Sequence, residues 1–340
     1  MSKGTRLSVG MTLVILFLAA FNIFHGTVYF SPSQVWNVLA GREEDTIASF
    51  IILQSRLPQA VTALLCGAAL AVSGLLLQTI FTNPLADPSI LGINAGASLG
   101  VAVVMLLLGG SFMAGPFNLS GFLLILVAAC VGAGLIIIVL LFLSAYVKSS
   151  LMLLIIGIMI SYVTSSAISL LNYTSTAEGV HSYIIWGLGN FSGVSREHLL
   201  PFSTVILVGL FAAIALIKPL NALLLGENYA TNLGVNMRFV RTSLLLVTGI
   251  LTAVVTAYCG PISFIGLAVP HMARLLLGST NNRQLLPLTL LTGSALALLC
   301  NILCTLPGDE GLIPLNVVTP FFGVPVILYV LVFKRKYNLF

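Results

Sequence analysis

Few side chains in this sequence could do chemistry, and Asp87 is the most conspicuous of them. It lies in the polar stretch 82–88, TNPLADP, between two long apolar runs. An ionisable group at membrane depth costs roughly 2.5 to 3.5 kcal/mol and usually serves function, so Asp87 could be a proton or cation site. Because it stands just before Ser89, we favour a capping role at the N-terminus of a helix that starts there.

His271 and Arg274 are the second candidate pair, since a three-residue spacing places both on one face of a helix. They could form a polar site within the apolar sequence. We favour a structural interpretation, in which His271 packs against a neighbour and Arg274 reaches the inner surface through its long side chain. Pro270 should kink the helix that carries both residues and free backbone carbonyls there.

Three further charged residues have two interpretations each. Glu227 is either a solvated loop charge or a docking contact, and the sequence leaves both open. Arg56 and Arg196 either balance nearby acids or receive carboxylates of an external protein.

The sequence lacks the spacings that catalysis and metal binding require. It has no GxxxxGK[ST] phosphate loop, no HExxH motif and no Ser-His-Asp set with polar support. Its five cysteines lie in or beside apolar runs, which favours small buried residues over disulfides or metal ligands. We therefore expect no catalytic activity and no cofactor or metal on this chain, so any energy for transport must come from another chain.

Membrane-spanning helices must position these residues. The 340 residues are 59 % hydrophobic and 7 % charged, whereas soluble domains carry about 25 % charged residues. A transmembrane β-barrel would show short alternating segments instead of long apolar runs. We predict an all-α polytopic membrane protein with ten transmembrane helices, over residues 7–24, 58–81, 89–108, 119–146, 151–171, 199–217, 239–258, 262–277, 285–306 and 317–333.

The distribution of charge predicts the orientation. If the N-terminus is cytoplasmic, eleven of the fourteen basic residues fall on inner loops, as the positive-inside rule requires. Seven of the nine acids then lie outside, and Asp87 and Glu227 are the two that remain inside. Ten crossings put both termini in the cytoplasm. We expect a multi-pass protein of a bacterial cytoplasmic (inner) membrane, in contact with lipid and without a nucleic-acid partner.

Two inner segments differ from plain spanning helices. The hairpin 83–88 joins two helices that carry small residues at four-residue spacing, a pattern that lets helices approach closely. The loop 218–241 predicts two short helices bent at Gly226 and Gly234, too short and too polar to cross a membrane. Such a loop suits a soluble partner better than lipid.

Three strings in the sequence resemble the permease subunits of type II ABC importers for iron-siderophores, haem and cobalamin, the FecCD-like family. They are RLPQAVTALLCGAALAVSGLLLQTIFTNPLADPSILGINAGASLG, LGENYATNLGVNMRFVR and GPISFIGLAVPHMARLLLG, and the similarity covers nearly the whole chain in order. The resemblance implies a single permease domain over residues 1–340 with a cytoplasmic coupling loop at about 218–241. It also implies a homodimer with its pathway on the two-fold axis, two cytoplasmic ATPase subunits that bind ATP, and an external substrate-binding protein.

The resemblance assigns roles to individual residues. Asn83 and Leu85 match the family's inner gate, and Ser149 and Ser150 match a second constriction between helices four and five. We expect the pathway to be lined mainly by the fifth helix, on the face from Tyr162 to Tyr173. The coupling segment that fits a groove on the ATPase matches Gly226, Glu227, Ala230, Leu233 and Gly234. Arg56 matches an outer arginine that meets the binding protein, and Arg196 is our second docking candidate. Gln59 stands where a second arginine is common, and the loop 304–310 lacks the usual arginine, so docking should rely less on charge here.

Two other functions stay open from the residues. A self-contained secondary transporter or channel would use Asp87 and His271 and would need no ATPase. A membrane scaffold would tolerate substitution of Asn83 and Leu85 without any change in flux. The cargo is not readable from the residues, and we expect an iron chelate because that branch of the family is the most populous.

Overall fold

The computed structural model describes residues 3–42, 46–109, 111–114, 117–147, 149–306 and 311–333. These residues form fifteen α-helices, two π-helical segments (Ile51–Arg56 and Val103–Leu107) and one antiparallel hairpin, β1 (Ser111–Ala114) with β2 (Phe117–Ser120). The helices are α1 (Lys3–Phe24), α2 (Pro32–Leu39), α3 (Thr46–Phe50), α4 (Leu57–Ile80), α5 (Ile93–Ala102), α6 (Phe122–Tyr146), α7 (Ser150–Thr174), α8 (Ala177–Gly187), α9 (Arg196–Ala215), α10 (Ile217–Leu223), α11 (Glu227–Asn232), α12 (Met237–Cys259), α13 (Ile265–Leu277), α14 (Asn282–Thr305) and α15 (Leu315–Phe333).

The predicted all-α fold is confirmed. In the described part of the chain, seven helical stretches are long and apolar enough to cross a membrane: Lys3–Phe24, Ile47–Ile80, Phe122–Tyr146, Leu151–Thr174, Arg196–Ala215, Met237–Cys259 and Asn282–Thr305. Three shorter apolar helices are Ile93–Leu107, Ile265–Leu277 and Leu315–Val330. Each of these ten segments coincides with one of the ten predicted crossings.

The chain divides into two compact units. The first comprises Met1–Val72, Asn190–Val208 and Ser263–Leu339. Within it α14 packs against α1, α13 and α15. Gly67 and Gly293 lie backbone to backbone in this unit, so a Cβ at either position would overlap the other residue's carbonyl oxygen. Small residues are therefore required at this helix contact.

The second unit comprises Ser73–Gly189 and Gly209–Ile262. Its centre is the close pair α5 and α6, in which Gly96 faces the backbone of Gly132 and Gly100 faces that of Ala128. This contact confirms the predicted ridge of small residues. Helix α12 packs on the same pair, and the hydroxyl of Thr256 donates to Oδ1 of Asn94 at 2.9 Å.

Two predicted boundaries were wrong, and one helix was not predicted. The third spanning helix begins at Ile93 and not at Ser89, because Gly92 with φ +80° is its N-cap. The second begins at Thr46 and reaches α4 through the π-helical segment. Helix α8 was not predicted, although Thr176 caps it by accepting a hydrogen bond from the amide of Gly179. Helix α13 continues through Pro270, and a kink there stays a prediction.

Candidate functional site

The hairpin between α4 and α5 is a tight polar turn that presents one leucine. Oδ1 of Asn83 accepts a hydrogen bond from the amide of Leu85 at 2.9 Å, and the carbonyl of Asn83 accepts one from Ala86 at 3.1 Å. Leu85 is exposed, while Ala86 is buried. The two predicted gate residues thus work together, since the Asn83 side chain fixes the turn that holds Leu85 outward.

Asp87 stabilises the next turn instead of capping α5, which corrects the predicted capping role. Its Oδ1 accepts from the amide of Ser89 at 2.9 Å and from the Ser89 hydroxyl. The carboxyl is buried, and burial raises the pKa of Asp87 above its ordinary value of 3.8, while the hydrogen bonds from Ser89 oppose that rise. An acceptor used by its own turn is poorly placed to bind a cargo ion.

The link between α4 and α5 continues past the hairpin to Gly92, and its last residues, 90–92, lie directly against α7. A Cβ at Gly157 would lie 2.9 Å from Cα of Leu91 and 3.1 Å from the carbonyl oxygen of Ile90. A Cβ at Gly92 would in turn lie 3.1 Å from the carbonyl oxygen of Gly157. The backbones of α7 and of residues 90–92 thus approach each other closely at Gly157. Sequence reasoning missed Gly157, although a lone glycine in an apolar helical run is a signal of close backbone approach.

Helix α7 carries an exposed polar stripe. Tyr162, Ser166, Ser169 and Tyr173 recur at three- or four-residue spacing and are all exposed. The serine hydroxyls donate to main-chain carbonyls one turn back, from Ser166 to Tyr162 and from Ser169 to Ser165, each at 3.0 Å. Their oxygens can still accept a hydrogen bond. Such a stripe in a spanning helix suits a water-filled pathway or a partner helix better than lipid.

The other predicted constriction lies at the start of α7. Ser149 is its N-cap and accepts a hydrogen bond from the amide of Met152 at 3.4 Å. The backbone of Ser150 begins the helix, and its side chain lies outside the described residues. The gating role of both serines stays a prediction.

The predicted pair of short helices in the loop 218–241 is confirmed as α10 and α11. We call residues 217–234 the helical loop. Gly226 with φ +100° precedes α11, and Gly234 with φ +83° follows it. Both angles lie in the region that favours glycine, so these residues permit the two bends.

One face of the helical loop is apolar and exposed. Leu225, Tyr229 and Leu233 have 63 %, 52 % and 60 % of their surfaces accessible. Exposed apolar side chains gathered on a polar segment are typical of a protein-binding surface. Ala230 is buried, so it packs within this chain, which corrects its predicted contact with a partner.

Arg56 is placed differently from its predicted docking role. It is buried, and its guanidinium donates to the carbonyls of Ile23 at 3.0 Å, Phe24 at 3.2 Å and Val28. The guanidinium also lies over the ring of Phe30, 5.1 Å from its centroid. Because the carbonyls at the end of a helix lack partners within it, we assign Arg56 to capping the C-terminus of α1.

Gln59 is partly buried and also contacts this chain's own helices. Its Nε2 donates to Oδ1 of Asn301 at 3.0 Å, and Nδ2 of Asn301 donates to Oδ1 of Asn22 at 2.7 Å. This chain of amides links α4, α14 and α1. The residue that replaces a common family arginine therefore serves packing, and Arg196, exposed at the start of α9, remains a docking candidate.

His271 and Arg274 are both buried in α13, together with Pro270. The packed position of His271 agrees with the structural interpretation. Arg274 does not reach an exposed surface as predicted, because only 4 % of it is accessible. In the described residues no group of three or more His, Cys, Asp or Glu side chains could hold a metal ion.

A helical membrane chain with a tight polar hairpin, a polar helix face and a loop that exposes apolar side chains has the parts of a transport permease. The model of the FecCD transport family matches residues 12–333. The chain belongs to this family and is a permease of the type II ABC importer class.

Curated relatives extend over almost the full length. The vitamin B12 import system permease protein BtuC of Vibrio parahaemolyticus is 35 % identical over 97 % of this chain and 95 % of its own. The molybdate import system permease protein MolB of Haemophilus influenzae is 34 % identical over 97 % of this chain and 96 % of its own.

A solved structure agrees. It is described as an inward-facing conformation of a metal-chelate type ABC transporter, with a TM-score of 0.83 and 31 % identity over 97 % of this chain and 99 % of the other. The type II permease fold predicted from the sequence is therefore confirmed. This chain is a multi-pass membrane protein of a bacterial importer family.

Proposed function

We propose that this chain is the membrane subunit of an ATP-driven importer that passes a metal-containing chelate of the iron-siderophore, haem or cobalamin kind into the cytoplasm. It acts as a homodimer, with two ATPase subunits on the cytoplasmic side and a substrate-binding protein outside. Both termini are cytoplasmic in this arrangement. ATP binds to the partner subunits, and this chain binds no cofactor of its own.

The exposed polar stripe of α7 carries the proposal. The stripe offers the hydroxyls of two tyrosines and two serines and carries no fixed charge. Such a surface suits the passage of a bulky polar cargo. A second copy of the chain would supply the facing wall. Residues 90–92, which follow the hairpin that bears Asn83 and Leu85, lie against the same helix at Gly157, so movement of α7 could open the hairpin.

The helical loop supports the dependence on a second protein. Its apolar face of Leu225, Tyr229 and Leu233 is exposed, and the chain has no phosphate loop of its own. The permease must alternate between a state open to the outside and a state open to the cytoplasm. Nucleotide binding to the partner can shift this equilibrium only if the partner then binds one state more tightly than the other.

The relatives bear on the cargo. Their names give vitamin B12 and molybdate, and the solved neighbour is of metal-chelate type. We favour a chelate over a bare oxyanion because the α7 stripe carries no cation. Metal and cofactor analysis of the captured substrate-binding protein tests this choice, and molybdate alone in that protein would contradict it.

A self-contained secondary transporter is the rival function. It would use Asp87 and His271 as ion-coupling groups, yet both side chains are buried and Asp87 serves its own turn. Transport in the absence of any ATPase would favour this rival.

Substitution of Gly226 by Pro tests the proposed function. The fixed φ of proline near −65° is incompatible with +100°, so the bend before α11 should be lost. We expect cargo uptake by the reconstituted complex to fall to background. Gly41→Pro is the matched control, because Gly41 also has a positive φ of +67° and lies outside the helical loop. Normal uptake by the Gly226 variant would contradict the assignment.

A further inference from the structure

Arg241 joins three helices in the unit that contains the helical loop. Its Nη1 donates to the carbonyl of Val147, the residue after α6, at 3.0 Å. Its Nη2 lies 3.2 Å from Oε1 of Glu227, the first residue of α11. Arg241 itself belongs to the second turn of α12. A single guanidinium therefore contacts the ends of α6 and α11 from α12.

Both contacts suit the helix ends at which they occur. The last carbonyls of a helix lack partners within it and carry partial negative charge, which favours a cation at the end of α6. A carboxylate in the first turn is favoured at the start of α11. The planar guanidinium has five donors in a fixed fork, so it can hold both acceptors at once, which a lysine ammonium does less well.

The two partners of the ion pair differ in burial. The side chain of Arg241 is 12 % accessible and that of Glu227 is 46 % accessible. An ion pair with one exposed partner contributes little to stability, so its value lies in geometry more than in folding. Arg241 is the fixed centre, and Glu227 is the group that α11 could withdraw.

The chain on either side of α11 leaves its tilt weakly constrained. This helix has six residues and lies between the two glycine bends. The guanidinium ties it to α6 and α12, and α6 packs on α5, which packs on α7. A cavity of about 350 Å³ borders Glu227 and Arg241, which gives both side chains room to rearrange.

We propose that Arg241 is a latch that holds the helical loop against α6 and α12 and releases it at one stage of transport. The latch is closed in this structure and opens when the loop is displaced by its partner. Arg241 is thus a positioning residue and touches no cargo. This inference rests on the proposed function and assigns to Glu227 an internal contact in place of a docking one.

The test uses the full importer complex in proteoliposomes with cargo, ATP and the cognate binding protein. Glu227→Gln, Arg241→Gln and the double variant are compared by cargo imported per ATP hydrolysed. Arg238→Gln is the matched control, because Arg238 is exposed and borders the same cavity. Its substitution removes the same charge as Arg241→Gln. We expect each latch variant to lower the ratio at least about fivefold, and the double variant to be no worse than the Arg241 variant. The control should stay within about twofold of the unmodified complex.

A conservative variant separates the latch from a merely structural role. Arg241→Lys keeps the charge but holds the two acceptors less well, so we expect an intermediate ratio with unchanged ATPase assembly. Glu227→Gln removes the ion pair but leaves the hydrogen bond from Arg241 to Val147 in place. This variant therefore decides the test if an Arg241 variant does not fold. A ratio equal to that of the control in both single variants would overturn the latch, as would independent effects that multiply in the double variant. Failure of the unmodified chain to import with ATP would instead overturn the proposed function.

Discussion

Asp87 either stabilises its turn or takes part in ion coupling, and the two roles predict different effects of substitution. Asp87→Asn keeps an oxygen that accepts from Ser89, whereas Asp87→Ala loses both hydrogen bonds. We expect the Asn variant to import cargo normally and the Ala variant to lose roughly 1 to 3 kcal/mol of stability. Uptake and thermal unfolding in detergent measure the two effects. Loss of uptake in the Asn variant would indicate ion coupling.

The raised pKa of Asp87 also predicts a pH dependence. Because protonation is favoured in the folded state, the carboxyl's contribution to stability is full below its ordinary pKa of 3.8 and is lost as the pH rises through the raised value. Unfolding temperature should therefore fall over that window in the unmodified chain more than in the Asn variant. Equal pH profiles for both would contradict this account.

Arg56 and Arg196 are chemically alike and should behave differently. Arg56→Ala leaves carbonyls at the end of α1 without donors, so we expect a loss of roughly 2 to 4 kcal/mol in stability. Arg196→Ala should change stability by less than about 0.5 kcal/mol because its side chain is exposed. Thermal unfolding separates the two. If Arg196 docks the binding protein, its variant should weaken that binding selectively.

At the scale of elements, the close contact between residues 90–92 and α7 requires a glycine at position 157. Gly157→Ala would place a Cβ 2.9 Å from Cα of Leu91, so residues 90–92 or the helix must shift. We expect uptake to fall about tenfold or more while the chain still inserts. Gly134→Ala is the matched control, since a Cβ there meets nothing within 4 Å and alanine favours a helix. Unchanged uptake in both variants would remove the hairpin from the gate.

Some elements could be predicted from sequence because one signal dominated them. Ten apolar runs predicted the spanning helices, and Gly226 and Gly234 predicted both bends of the helical loop. The start of α5 was predicted wrongly because Asp87 and Ser89 resemble the capped start of a helix. In the structure they form a turn that precedes α5, which begins at Ile93. Helix α8 was missed because its sequence mixes polar and apolar residues, so the helical period of its apolar residues is weak despite a capping threonine.

The role of a side chain was harder to predict than its element. The family resemblance suggested docking for Arg56, but the position of a guanidinium depends on which carbonyls fold back to it from α1 and the following turn. The pairing of Arg241 with Glu227 and Val147 joins residues far apart in sequence. Such tertiary contacts follow from packing and leave no local pattern.

At the scale of the whole molecule, we propose a passive permease that is moved by another protein. The chain has seven stretches suited to cross a membrane and three shorter apolar helices, counted over the described residues, and its inner loop exposes an apolar face. Its sequence contains no nucleotide-binding motif. Transport should therefore need both ATP and a second kind of subunit.

Uptake into proteoliposomes tests this claim most directly. The purified chain is reconstituted alone or with its cognate ATPase, and uptake of cargo delivered by the binding protein is followed with and without ATP. We predict uptake only when the ATPase and ATP are both present. Uptake by the chain alone, driven by an ion gradient, would contradict the account.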